Sequence, residues 1–392
     1  MKKRLQKNTI EYRNYLFIFM LIGMAILYSV FFMHYTSYDF EQHNKVAEWI
    51  EQGNFNMEEA KDADIYLHIL SYPLYHILTA LASFVLRIDM HTAMAIVLTI
   101  ANVVMVVLVR WSMLYLTKTD NAKYRYFIDL VSCTSTIFVN MVSPLNEYRY
   151  YARQGAANPI HNPTIMVVKP FGILALVIFC QLLLNYKKQQ YEIKEYVLFS
   201  VILSVGCVAK PSLLMVLLPA MGLLVLKEII CDKALKLAIY MFLAVSPSLI
   251  TLIMQFLFVN AYSEELATQV VIGGFSGFTI QEIFLCSFTS FPVVFCAFSW
   301  KALKEDRNYQ VAILTLIIGW LQMFFLTQGS AGNYSWGYII GIQMATIVSL
   351  VCTVKYKYHP IRKGIIWLVY AYQVICGIKY MDIAFHNMKF WF

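Results

Sequence analysis

Twelve apolar runs recur along the chain, at about 15–34, 68–87, 93–116, 127–143, 165–185, 195–209, 211–226, 237–259, 283–299, 311–327, 338–353 and 365–380. Most approach the roughly 20 residues that an α-helix needs to cross a hydrocarbon core of about 30 Å. A segment in lipid must also satisfy its backbone hydrogen bonds internally, which leaves helices as the solution for runs of this length. The expected fold is therefore all-α: a polytopic helical membrane protein with about 11–12 transmembrane helices. Composition agrees, since 60% of the 392 residues are hydrophobic and only 14% are charged. Soluble domains are nearer half apolar and a quarter charged, so a soluble enzyme, a disordered chain and a singly anchored one are all excluded.

The formal net charge of +8 could suggest nucleic acid in a soluble protein. In a membrane protein it reads as the positive-inside bias, so no nucleic-acid partner is expected. Six segments hold 22 of the 31 Lys+Arg: the N-terminal tail, 110–126, 187–194, 227–236, 301–307 and 355–363. They are placed in the cytoplasm. The opening Met-Lys-Lys-Arg with its apolar run is too long for a signal peptide and lacks a small-residue cleavage site. It reads as an uncleaved first helix with a cytoplasmic N-terminus. The eight cysteines fall in apolar segments, except Cys231 in a short basic loop, and indicate no disulfide framework.

The chain thus reads as a single integral membrane domain over 1–392. Its outer face would gather 35–67, which carries a juxtamembrane helix, 144–164, the tip at Lys210, 260–282 and 328–337. The stretch 35–67 holds eight acids against two lysines and belongs outside. An odd number of crossings must separate it from 110–126, yet two apolar runs lie between. One of them does not cross; Pro73, flanked by His68 and His76, marks 68–87 as juxtamembrane or re-entrant.

Four places could carry chemistry. Asp39 follows the first helix by a few residues, where a carboxylate can act as base towards an acceptor hydroxyl. With His43 four residues on, it would share one helix face, a pairing that also suits a phosphate contact or a divalent metal. The simpler reading makes Asp39 the N-cap of a surface helix running to about Gln52. Second, two Asn-Pro pairs frame His161 in Asn158-Pro-Ile-His-Asn162-Pro-Thr164 and force a turn before the next span. Arg149 and Arg153 precede it with forked donors suited to phosphate, and Lys169 lies one turn inside the following helix.

Third, Lys210 stands between two short helices and is followed by Pro211 and Ser212. It reads either as a broken-helix site for an anion or as a lysine snorkelling at a hairpin tip. Fourth, Gln328 to Gly337 is a glycine-rich turn that presents Asn333, Tyr334 and Trp336, a pairing of amide and aromatic suited to a sugar; interfacial belt aromatics are the alternative. Phosphate-loop, GxGxxG, HExxH, GxSxG and CxxC patterns are missing, which argues against a nucleotide-driven pump within this chain.

The acidic residue after helix one, the long outer loop and Tyr72-Pro-Leu-Tyr75 together resemble the GT-C superfamily, membrane glycosyltransferases that use polyprenyl-phosphate-linked sugars. Asn158 to Thr164, Lys210-Pro-Ser212 and Gly332-Asn-Tyr-Ser-Trp-Gly337 are also similar to motifs of bacterial membrane proteins from polysaccharide gene clusters. The resemblance covers mainly the first 230 residues. No Asp-x-Asp or Glu-x-Asp follows in the second outer loop, which puts metal dependence in doubt. It implies a transferase of the bacterial plasma (inner) membrane with two substrates: a polyprenyl-phosphate-linked sugar donor and a glycan or lipid-linked acceptor. On that reading Asp39 is the base. His43, Arg149, Arg153, Lys169 and Lys210 bind phosphate, and Asn158, His161, Asn162, Asn333 and Trp336 hold the sugar. A polysaccharide polymerase or ligase, and a flippase or transporter of a lipid-linked or anionic solute, are the competing readings.

Overall fold

The computed structural model describes residues 2–35, 37–53, 71–137, 162–262, 268–270, 287–328 and 334–386. Over these residues the chain forms fourteen helices. They are α1 (Lys2–His34), α2 (Tyr38–Glu51), α3 (Leu74–Leu86), α4 (Met90–Thr117), α5 (Ala122–Thr134), α6 (Pro163–Lys187) and α7 (Ile193–Ala209). Then follow α8 (Ser212–Asp232), α9 (Leu235–Tyr262), α10 (Phe291–Phe298), α11 (Trp300–Glu305), α12 (Arg307–Phe325), α13 (Ser335–Lys355) and α14 (Pro360–His386). A short antiparallel ribbon pairs β1 (Thr268–Val270) with β2 (Leu326–Gln328), Gln269 opposite Thr327. It joins a strand within 260–282, read from the sequence as an outer loop, to the end of the apolar run 311–327.

Among the described residues, eight helices are long and apolar enough to cross a membrane: α1 from Asn14, then α4, α6, α8, α9, α12, α13 and α14. A chain with eight such helices is a multi-pass membrane protein. Exposed side chains such as Phe19, Phe242, Met254 and Leu368 then face lipid, which explains why their exposure carries no penalty.

Side-chain contacts give the helices their direction. His91 Nε2, at the start of α4, lies 3.1 Å from the carbonyl of Met33, at the end of α1. So α4 begins at the end of the bundle where α1 stops. The intervening α3 has 13 residues, about 20 Å, and returns to the end from which it came. The described part of that segment, 71–87, therefore does not cross, and the odd-crossing puzzle of the sequence is resolved.

At the opposite end the basic connections meet. Lys187 pairs with Glu228 at 2.6 Å and with Asp232 at 2.9 Å, and Arg307 reaches Glu228 at 2.8 Å. Lys355 pairs with Asp306, the N-cap of α12. Arg110 pairs with Asp129 at 2.6 Å. The carboxylates of Glu228, Asp306 and Asp129 are buried, so these pairs fasten α6 to α8 and α12, α12 to α13, and α4 to α5.

The centre of the bundle is α13, 94% of whose spanning window is buried inside the protein. It packs on α12 through glycine. A Cβ added at Gly319 would lie 2.7 Å from Tyr338 Cα, and one at Gly341 would lie 2.8 Å from Leu316 Cα. Close backbone approach over small residues is how helices gain packing energy in lipid, where burial of apolar surface supplies none.

Candidate functional site

The end of the bundle away from the basic connections brings together residues from α2, the turn before α3, and the ends of α6, α7 and α13. Each is placed by a local signal. Ser37 caps α2, its side chain accepting from Phe40 N. The N-cap role read for Asp39 is thus Ser37's. Asp39 sits instead in the first turn, where the helix dipole favours a carboxylate and its side chain is left for other partners.

Asn162 caps α6, its Oδ1 accepting from Ile165 N at 3.2 Å, with Pro163 in the first helical position. The second Asn-Pro pair is therefore a helix start. Across the site, Asn162 Nδ2 donates to Asp39 Oδ2 at 3.4 Å. Thr164 Oγ1 donates to Asn162 Oδ1 at 2.8 Å.

Lys210 ends α7 with extended backbone, φ −167°, because Pro211 bars continuation of the helix. Its side chain does not snorkel but turns inward and is only 3% exposed. Nζ donates to Thr164 Oγ1 at 2.7 Å and stands 3.5 Å from Asn162 Oδ1. The rings of Trp336 and Tyr72 face it at 4.7 and 5.0 Å from their centroids. Trp336 lies in the first turn of α13, not in a glycine-rich turn, and its ring is on the lysine. Among the described residues no carboxylate comes within 4 Å of this ammonium. Burial pulls the Lys210 pKa down to about 7, against the opposing field of Asp39.

Beside this cage, His43 Nδ1 and His76 Nε2 share a hydrogen bond of 2.8 Å, with both rings buried. Tyr75, next to His76, donates to Asn44 Oδ1 at 3.3 Å, so α2 and α3 are joined by polar contacts. Lys169 is also buried, one turn from Gly172, on the face of α6 that meets Leu213 and Ile340.

An apolar groove of about 590 Å³ opens on the lipid-facing side between α3, α4, α6 and α7. Leu74, Leu81, Ile100, Val167, Phe171 and Val205 are among its lining. Val167 lies one turn past Thr164 and Leu74 two residues past Tyr72, so cage and groove draw on neighbouring residues of the same segments.

Of the residues singled out from the sequence, the structure gathers Asp39, Asn162, Lys210 and Trp336, with His43 alongside. Arg149, Arg153, Asn158, His161 and Asn333 lie outside the described residues. Tyr72 and His76, noted in the sequence beside Pro73 without a binding role, stand in or beside the cage, and Thr164 is an addition; only packing shows that its hydroxyl meets an ammonium. Among the described residues no cluster of three or more potential metal ligands forms, so a metal on Asp39 and His43 would need ligands from elsewhere. No known protein family matches the chain, and no curated protein is found similar to it.

Proposed function

We propose that the chain is a transferase of the GT-C type, moving a sugar from a polyprenyl-phosphate carrier to a glycan or lipid-linked acceptor on the outer face of the bacterial plasma membrane. The observation that carries this reading is the Lys210 ammonium, buried among neutral partners, one of which, Thr164, lies one turn along α6 from the lining of an apolar groove. A desolvated cation is costly without an anion and strong once it has one. A phosphate on a prenyl chain supplies the anion while its tail lies in the groove.

Asp39 then serves as base. It stands at the rim of the cage, oriented through one oxygen by Asn162, and its second oxygen takes the acceptor's proton. The sugar C1–O bond to phosphate breaks as the acceptor oxygen attacks from the opposite face, and the leaving phosphate's charge falls on Lys210. With the basic connections placed in the cytoplasm, this end of the bundle faces outward.

The test is mass spectrometry of envelope glycans and polyprenyl-linked intermediates in wild type, a gene deletion, and deletions complemented with Asp39→Asn or Lys210→Met. The expected result is loss of one sugar and accumulation of its lipid-linked donor in all three altered strains. An Asp39→Asn protein that restores the glycan would remove the base assignment. Loss of polymer length or export alone would move the protein to the polymerase or flippase reading.

A further inference from the structure

His76 carries an unused polar atom beside the Lys210 cage. It is fully buried, and its Nδ1 has no hydrogen-bond partner among the described residues. Its other nitrogen, Nε2, is taken by His43 Nδ1 at 2.8 Å, a bond in which one of the two nitrogens carries the hydrogen. If His43 donates, neutral His76 must hold its own proton on Nδ1, which is then a buried donor with nothing to accept it. If His76 donates, Nδ1 is a buried acceptor with nothing to donate to it. Buried groups of this kind are normally satisfied, because each unmet one costs on the order of 1–3 kcal/mol.

The position of the ring selects between the two. His76 follows Tyr72 by four residues, and the Tyr72 ring faces the Lys210 ammonium. Burial, reinforced by the Lys210 charge, pushes the imidazole down to about 3, so the ring is neutral at any physiological pH. A neutral ring beside a lysine that holds an anion is best used as a donor to that anion.

We propose that His76 is a ligand-binding residue of the Lys210 site: His43 donates to its Nε2, which fixes the proton on Nδ1, and Nδ1–H donates to a phosphate oxygen held by Lys210. The inference rests on the transferase reading above and adds to it a second, neutral donor for the phosphate, with His43 as the residue that sets its tautomer. Two imidazoles on α2 and α3 thus couple the helix that bears Asp39 to the phosphate.

The test uses the full chain in nanodiscs and decaprenyl phosphate as probe, with binding read by native mass spectrometry. Decaprenol, which lacks the phosphate, and inorganic phosphate, which lacks the tail, are the comparison arms. His76→Asn keeps an N–H where Nδ1 stood, whereas His76→Gln keeps one where Nε2 stood. The expected result is that His76→Gln weakens decaprenyl phosphate about tenfold and leaves decaprenol unchanged, while His76→Asn stays within about threefold of wild type. The proposal is overturned if His76→Gln binds like wild type, if only His76→Asn weakens, or if both variants weaken equally. Lys210→Met separates the two levels: loss there alone keeps the Lys210 site and removes His76, and no loss there removes the site itself. Inorganic phosphate bound with the same His76 dependence would assign the site to free phosphate and not to a lipid.

Discussion

Asn162 donates to Asp39 across 3.4 Å although the two lie 123 positions apart, and the same amide caps the helix that begins beside it. One side chain thus ties the start of α6 to the first turn of α2. The capping oxygen is shared further, accepting from Thr164 and lying near Lys210, so the helix start, the carboxylate and the ammonium form one connected unit.

That double use can be separated by substitution. Asn162→Ala removes both the cap and the contact with Asp39, and is expected to lower stability by about 1 kcal/mol as well as sugar transfer. Asn162→Ser retains a capping oxygen but not the donor to Asp39. It should melt like wild type in detergent and still lose transfer, measured as accumulated lipid-linked donor. A Ser variant with full transfer would show that Asn162 acts only on the helix.

Lys210 makes binding depend on pH in a definite direction. Its pKa is depressed to about 7, so the ammonium is present below that pH and lost above it. Affinity for decaprenyl phosphate should therefore fall as pH rises past about 7, by up to tenfold per unit, whereas Lys210→Met should be weak and flat. The probe's own second ionisation, near pH 6, is nearly complete over that range. Native mass spectrometry or equilibrium binding from pH 7 to 9 checks both slopes.

The α12–α13 seam leaves no room for a methyl group. Gly319→Ala and Gly341→Ala place a Cβ under 3 Å from backbone atoms of the partner helix, which cannot rotate away. Each is expected to destabilise by about 1–3 kcal/mol or more, seen as a lower melting temperature and reduced folded yield. Gly23→Ala, whose added Cβ meets nothing within 4 Å, should be silent and serves as control.

Glu228 is buried between Lys187 and Arg307 at the basic end. Replacing both cations by leucine strands a buried carboxylate and should destabilise by about 3–5 kcal/mol. Adding Glu228→Gln to that double variant should restore much of the loss, because the stranded charge is then gone. Thermal unfolding of the double and the triple variant against wild type reads the sign directly.

Much of the helix layout was legible from residue order alone. Apolar runs of spanning length, the Asn162-Pro163 start and the Lys210-Pro211 break all act within a few residues, and backbone hydrogen bonding in lipid leaves such runs only the helix. The clustering of basic connections at one end also followed from counting charge. Whether 71–87 crosses and whether Lys210 snorkels or turns inward did not. Each depended on contacts between distant segments: His91 with Met33, Thr164 with Lys210, Trp336 with Lys210, His43 with His76. Local periodicity sets which face of a helix is apolar, but a buried polar group takes whatever partner packing brings to it. The site was therefore decided by the tertiary structure, where burial makes each unpaired polar atom costly enough to select its neighbour.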